Sequence, residues 1–208
     1  MREPFAALPP RSEWQSLTRL ALGFAAWFAL CYGGAAALVE YIPWRIDVKL
    51  PIDTQLPFWP GAAAWYLTIT PMLLLAPFVF RSREALRPLF NALMLETAVA
   101  AVLFLLLPID DGIVTCCEAD VAGVLFRLAD FINLHHNNLP SLHVAFACTL
   151  AMAYATRATR AGAVALFAWA VVVTMSTLFT RQHFFADVLA AALLGILGWR
   201  LTSPRPKS

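Results

Sequence analysis

The chain holds four histidines, and all of them fall after position 134. His135 and His136 lie in a polar stretch, whereas His143 and His183 stand at the edges of apolar runs. Asp187 follows His183 at i+4, a spacing that places both on one face of a helix. The carboxylate can then accept a proton from one imidazole nitrogen, fix the tautomer and leave the other nitrogen as nucleophile or base. Asp187 lies inside an apolar run, where a carboxylate is costly and by default a functional candidate. A structural His–Asp pair that pins a helix has the same spacing, so spacing alone leaves the two readings level. A second constellation is Asn138-Leu139-Pro140-Ser141-Leu142-His143, running into Val144-Ala145-Phe146. It reads as a helix start with Ser141 in the capping position and unpaired backbone N–H groups beyond it. Such a terminus attracts an anion through its free donors and its dipole. An ordinary membrane-helix N-cap is the plainer alternative.

The elements that position these residues are set by composition. Of 208 residues, 61% are hydrophobic and only 13% charged, against roughly 25% charged in a soluble domain, and mean hydropathy is +0.70. Apolar segments run over roughly 20–42, 61–80, 89–107, 143–156, 161–180 and 184–200. Several reach the roughly 20 residues needed to cross a hydrocarbon core. The expectation is an all-α integral membrane protein: one membrane domain over 1–208, built as a six-transmembrane helix bundle with a short surface helix in the outer loop. The first segment is longer than a signal-peptide core and is read as an uncleaved span. The fourth is short, so it is expected to start at the polar residues just before His143 and to be shielded by its neighbours.

Six spans put both termini on one side, and the basic residues choose that side. Arg2, Arg11, Arg19, Arg81, Arg83, Arg87, Arg157, Arg160, Arg200, Arg205 and Lys207 collect on one face; Arg45, Lys49, Arg127 and Arg181 are left for the other. Both termini are therefore expected in the cytoplasm, and the loops 43–60, 108–142 and 181–183, with all four histidines, face the exterior or periplasm of a cytoplasmic-type membrane. Within 119–134, Val121, Val124, Leu125, Leu128, Phe131 and Ile132 recur at helical spacing opposite Asp120, Arg127 and Asp130, which predicts a helix lying flat at the surface. Loop 43–60, with Pro43, Pro51, Pro57 and Pro60, is expected to be extended and anchored at headgroup level by Trp44, Phe58 and Trp59. His136, Asn137 and Asn138 could line a headgroup pocket, but a solvated polar loop is the reading preferred. Cys116 and Cys117 are adjacent and poorly placed to bridge each other. Glu96, within the third span, is expected to be protonated, paired with Asn91 or a threonine, or part of a polar path. The net charge of +2 gives no case for nucleic acid, and no cysteine or histidine spacing suggests a metal site.

Pro140-Ser141-Leu142-His143 and Ser176-x6-His183-x3-Asp187, in that order and on that number of spans, resemble the second and third signature blocks of the type-2 phosphatidic acid phosphatase superfamily. The resemblance covers about residues 60–200. Leu142 stands where that family usually has glycine, and Thr177 where it has arginine; this pattern is more similar to the branch containing inositol phosphorylceramide synthases and related bacterial proteins. The resemblance implies that His183 attacks phosphorus to form a phosphohistidine, that Asp187 orients it, and that His143 protonates the departing alkoxide. Ser141 and the helix start would supply donors, with no metal and no cofactor. The family's first block, K-x6-R-P, has no good counterpart: Phe80 holds the lysine position before Arg87-Pro88, which the topology puts on the cytoplasmic side. Arg181, two residues from His183, is therefore the expected phosphate ligand and Arg127 the next choice, an arginine that only meets lipid headgroups being the alternative.

The function expected is a membrane enzyme that cleaves or transfers lipid phosphate esters, as phosphatase or as phospho-headgroup transferase, with phospholipids or lipid phosphates as its partners. A catalytically inactive scaffold or transporter of the same fold is the competing class. A serine protease using Ser141 and His183 is weaker, since it leaves Asp187 unexplained.

Overall fold

The structure, a computed structural model, describes residues 4–110, 120–134 and 137–204. His135, His136, Cys116, Cys117, Arg2, Arg205 and Lys207 lie outside the described residues.

Helix α1 covers Arg11–Val39, α2 Pro60–Phe80 and α3 Arg83–Leu106. The amphipathic α4 is Val121–Ile132, α5 is Leu142–Ala155, α6 is Arg160–Phe179 and α7 Phe185–Thr202. Five of these, α1, α2, α3, α6 and α7, are long and apolar enough to cross a membrane. The fourth apolar segment forms a helix of only 14 residues, α5. At 1.5 Å per residue it spans about 21 Å, short of a hydrocarbon core of about 30 Å. It is the most enclosed helix: ten of those residues are buried, packed against α6, α7 and α3. Four alanines, Ala145, Ala147, Ala151 and Ala153, keep its surface smooth enough for close approach by its neighbours.

Helix starts extend beyond the apolar runs. α1 begins at Arg11 and α3 at Arg83, where Ser82 accepts the Ala85 N–H and supplies the cap. Hydropathy marks only the apolar part of a helix; the first turns carry charged and polar residues such as Arg11, Glu13, Arg83 and Glu84. α1 also contains a π turn over Ala29–Gly33, and α2 opens with a 3-10 turn and breaks at Leu67-Thr68 before resuming at Ile69.

Two ends of the bundle are distinguished by their contacts. At one, Ile46 bridges Ile109 and Trp59 N–H donates to the Phe179 carbonyl. At the other, Ala7 N–H donates to the Phe78 carbonyl and Phe5 packs edge-on against Tyr154. The starts of α5 and α7 belong to the first end, with loop 43–60 and α4. Arg87 sits near the start of α3 at the second end, away from the histidines. Phe58 departs from its expected place: its ring packs edge-on to Phe126 of α4 at 5.5 Å, so it joins loop to helix, while Trp44 and Trp59 stay exposed.

Deep in the bundle Glu96 of α3 is fully buried. Thr149 of α5 donates to its Oε1 at 2.5 Å, and the same hydroxyl lies 3.1 Å from the Gly195 carbonyl of α7. Three helices meet at this polar point, and the partner is a threonine, not Asn91.

Candidate active site

The turn between α6 and α7 carries His183. Thr177 is buried and its carbonyl accepts the N–H groups of both Gln182 and His183, which folds the chain back on the helix end. Arg181 occupies this turn with φ 54°, a left-handed conformation that costs a non-glycine residue on the order of 1–3 kcal/mol. His183 therefore precedes α7 and does not share its helix with Asp187, contrary to the helical reading of their spacing. The pair still meets: His183 Nδ1 is 3.6 Å from Asp187 Oδ2, and the two side chains are 2% and 0% exposed. Asp187 is held because the same Oδ2 accepts the Phe184 N–H at 2.8 Å, an acid in the first helical turn satisfying a free backbone donor. With Nδ1 turned to the carboxylate, Nε2 lies on the opposite edge of the ring.

Asp53, from loop 43–60, was not legible as a site residue. It is buried, and its Oδ1 accepts the Phe185 N–H at 2.9 Å while Oδ2 accepts the Leu50 N–H at 2.8 Å. A carboxylate 132 positions earlier thus caps the start of α7 beside His183. Nothing local distinguished it from Asp47 in the same proline-rich, aromatic loop.

His143 lies in the first turn of α5, and its ring stacks on Tyr66 of α2 with centroids 3.8 Å apart and 25° between planes. Ser141 takes the N-cap position of α5, following a cis Leu139–Pro140 bond. It makes no side-chain cap; its Oγ is buried without a partner, and its N–H points at the Asp187 carbonyl at 3.4 Å. The second and third blocks are thereby joined through the backbone.

His143 and His183 line one cavity of about 190 Å³. Asn137 and Asn138 are each 1% exposed, which corrects the expectation of a solvated loop. Asn137 donates from Nδ2 to the Tyr32 carbonyl. Among the described residues, most buried polar atoms without a partner belong to the two segments that carry the histidines: Asn137 Oδ1, Asn138 Oδ1, Ser141 Oγ, both amide atoms of Gln182, both His183 nitrogens and Asp187 Oδ1, of which Asn137 and His183 line the cavity. Buried polar groups are seldom left unmet in a folded protein, so this concentration marks a candidate site for a polar ligand.

The arginines stand apart from it. Arg181 is exposed, its Nη2 is 3.4 Å from the Leu56 carbonyl, and its guanidinium lies over the Phe58 ring at 5.7 Å. Arg127 is exposed on α4. Neither lines the cavity shared by the two histidines. Thr177, in the position of the family's arginine, donates its hydroxyl to the Thr174 carbonyl within α6. Among the described residues no group of three or more His, Cys, Asp or Glu converges as a metal site would require.

No curated protein and no solved structure matches the chain. The model of the PAP2 superfamily matches residues 62–206, a stretch that contains His143, His183, Asp187 and every helix from the second half of the first α2 turn onward. With the family matched over more than half its length, the chain belongs to the PAP2 superfamily, the superfamily of type-2 phosphatidic acid phosphatases.

Proposed function

We propose that this protein is an integral membrane enzyme that cleaves or transfers lipid phosphate esters through a phosphohistidine at His183. The observation that carries the reading is the cavity that His143 and His183 share, with Asp187 buried beside His183 and the unmet polar atoms of Asn137 and His183 among the lining residues. His183 Nε2 attacks phosphorus; the new P–N bond forms as the P–O bond to the lipid alcohol breaks. His143, held in plane by Tyr66, gives its proton to the departing alkoxide. Asp187 balances the charge on the His183 ring from the Nδ1 side. In the second half-reaction His143 takes the proton of water or of an acceptor alcohol, whose oxygen displaces His183 from phosphorus. The equatorial oxygens accept from fixed donors: Ser141 Oγ–H, the α5 N-terminus and the Gln182 amide. Arg181 supplies positive charge at the rim after turning from Leu56, with Arg127 the more remote candidate.

The cation bias of the loops supports a histidine end at the outer face of a cytoplasmic-type bacterial membrane, with both termini inside. α4, with its apolar side partly exposed at Val121, Val124, Leu128 and Phe131, lies along that surface.

One observation favours the rival reading, an inactive scaffold of the same fold: no lysine or arginine is among the residues lining the histidine cavity. Phosphate release from a lipid phosphate by purified protein in detergent separates the two. Adding an acceptor alcohol then distinguishes hydrolysis from transfer, by the appearance of a new phosphodiester or phosphomonoester. Activity that survives in His183→Ala would rule out the proposed chemistry.

A further inference from the structure

The end of the bundle opposite the histidines holds a second and larger cavity, about 1360 Å³ against about 190 Å³. Its shape follows from the packing of α2 and α6. The first turns of α2, Pro60–Ala62 and Ala63–Tyr66, lie against α6; beyond the break the two helices diverge, and Ile69–Phe80 packs on α5 and α3 instead. Trp169 of α6 donates from Nε1 to the Thr68 hydroxyl at 2.9 Å, which fixes the vertex of the resulting wedge. From Trp169 back to Arg160 at the start of α6 is about 14 Å along the axis, close to half of a hydrocarbon core of about 30 Å. The wedge is thus about one leaflet deep.

Apolar and charged groups divide along it. Toward the vertex it is lined by Met72 of α2 and by Leu166 and Trp169 of α6, and Tyr154 of α5 ties α2 to the floor by donating its hydroxyl to the Met72 carbonyl. At the wide end stand Arg81 after α2, Arg157 in the turn between α5 and α6, and Arg160 at the first residue of α6. The Arg157 guanidinium lies over the Phe80 ring at 5.8 Å, a placement that keeps its in-plane N–H donors available. Among the described residues neither Arg157 nor Arg160 pairs with a carboxylate. Glu13 also borders the cavity, but its Oε2 accepts the Arg83 N–H and the Ser16 hydroxyl.

Helix ends reinforce the positive charge. Both α3 and α6 begin at this cavity, at the capping residues Ser82 and Thr159, and helix starts favour anions. The carbonyls that end α2 and α5 at the same place are met by local turns: the Ser82 N–H donates to Phe80 and the Ala158 N–H to Tyr154. Residues 4–10 border one side, where Arg81 donates to the Pro4 carbonyl. The wedge opens on a different side, between α2 and α6, where Leu74 and Phe167 beside the lining residues are exposed apolar groups.

We propose that this wedge is a second binding site, for an anionic phospholipid of the leaflet opposite the histidines. Arg157 and Arg160 donate to the headgroup phosphate from the rim and Arg81 adds charge beside them, while hydrocarbon lies along Met72 and Leu166 toward Trp169. Basic pockets between membrane helices are suited to such headgroups, and the apolar inner part of this one distinguishes a lipid from a free anion. The bound lipid is not the substrate: its phosphate stands the length of α6, 20 residues or about 30 Å, from the turn that carries His183. The site therefore stands or falls independently of the histidine chemistry.

The test measures thermal unfolding of the purified, delipidated full chain in detergent micelles carrying phosphatidylglycerol, phosphatidylcholine of the same chains, or no lipid with inorganic phosphate in the buffer. Phosphatidylglycerol is expected to raise Tm by about 5–10 °C at a hundredfold excess over its Kd, and phosphatidylcholine and inorganic phosphate by much less. Arg157→Gln/Arg160→Gln lowers the affinity for phosphatidylglycerol at least about tenfold and removes most of the rise. Arg87→Gln/Arg200→Gln, which takes the same charge from exposed positions outside the cavity, keeps it. If the first double variant does not fold, native mass spectrometry of the wild type decides, with phosphatidylglycerol retained in preference to phosphatidylcholine. Equal rises with the two lipids, equal losses in the two double variants, or no preference in the retained lipid overturn the site. A rise with inorganic phosphate that matches the lipid's and disappears in Arg157→Gln/Arg160→Gln overturns the lipid in favour of a free anion.

Discussion

Gly195→Ala puts a methyl group where the structure has no room, and its effect can be worked through. A Cβ at position 195 would lie 2.5 Å from the Ala145 carbonyl oxygen, 3.0 Å from Cys148 Cβ and 3.2 Å from the Ala145 carbonyl carbon. The first and last of these are backbone atoms of α5 and cannot rotate away. To reach the 3.4 Å of ordinary contact, α7 must move from α5 by about 0.9 Å. Overpacking of this kind costs roughly 1–3 kcal/mol, a fall in Tm on the order of 5 °C for a chain of this length. The catalytic cost is larger. His143 starts α5 and Asp187 starts α7, so the same displacement acts between the two histidines, and a misplacement of about 1 Å is worth on the order of 100-fold in rate. Gly23→Ala is the control: its Cβ meets nothing within 4 Å, and replacing a helical glycine gains up to about 1 kcal/mol. Thermal unfolding in detergent and kcat on a lipid phosphate give both readouts. If Gly195→Ala unfolds and turns over like Gly23→Ala, the close contact of α5 and α7 does not set the spacing of the site.

Asp53→Asn should behave as a damaging change despite its equal size, because one of the two backbone N–H groups now facing acceptor oxygens would meet an amide NH₂; kcat is expected to fall about tenfold, and an unchanged kcat removes Asp53 from the support of α7. Thr149→Val leaves Glu96 without its hydroxyl donor and should destabilise by about 1–3 kcal/mol, whereas Glu96→Gln keeps a carbonyl acceptor and should cost less; equal losses of Tm in the two variants would contradict the three-helix junction. Tyr66→Phe retains the ring stacked on His143 and should keep kcat within about twofold, while Tyr66→Ala frees the imidazole and should lower kcat by about 10–100-fold with little change in KM; equal activity in both variants would show that the stack does not orient His143.

Apolar runs of roughly 20 residues made the long helices legible, because each run belongs to a single helix, and periodicity marked the amphipathic one. α4 is the clearest case: the repeat from Val121 to Ile132 is local, and Asp120 accepts the Gly123 N–H at its start. α5 was legible as a short, sheltered helix because 14 residues cannot cross alone. The His183–Asp187 pairing was also visible, yet for a partly different reason: a turn ordered by the Thr177 carbonyl and by Asp187 capping Phe184 brings the two together, not a shared helical face. Asp53 was hidden because its partner lies across the fold, and no local pattern encodes that meeting. The same holds for Arg181, whose direction depends on the Leu56 carbonyl and Phe58 ring in a distant loop, and for Asn137 and Asn138, whose polarity suggested water until the Tyr32 turn covered them.

The central claim is that phosphorus bonds transiently to His183. Incubating the purified protein with a lipid phosphate labelled at phosphorus, quenching without acid within the turnover time and mapping the modified residue by mass spectrometry tests it directly. The account predicts label on His183, increased in His143→Ala if that variant slows breakdown of the intermediate more than its formation, and absent in His183→Ala. Turnover of the lipid phosphate with no phosphorus on His183, or with label persisting in His183→Ala, contradicts it.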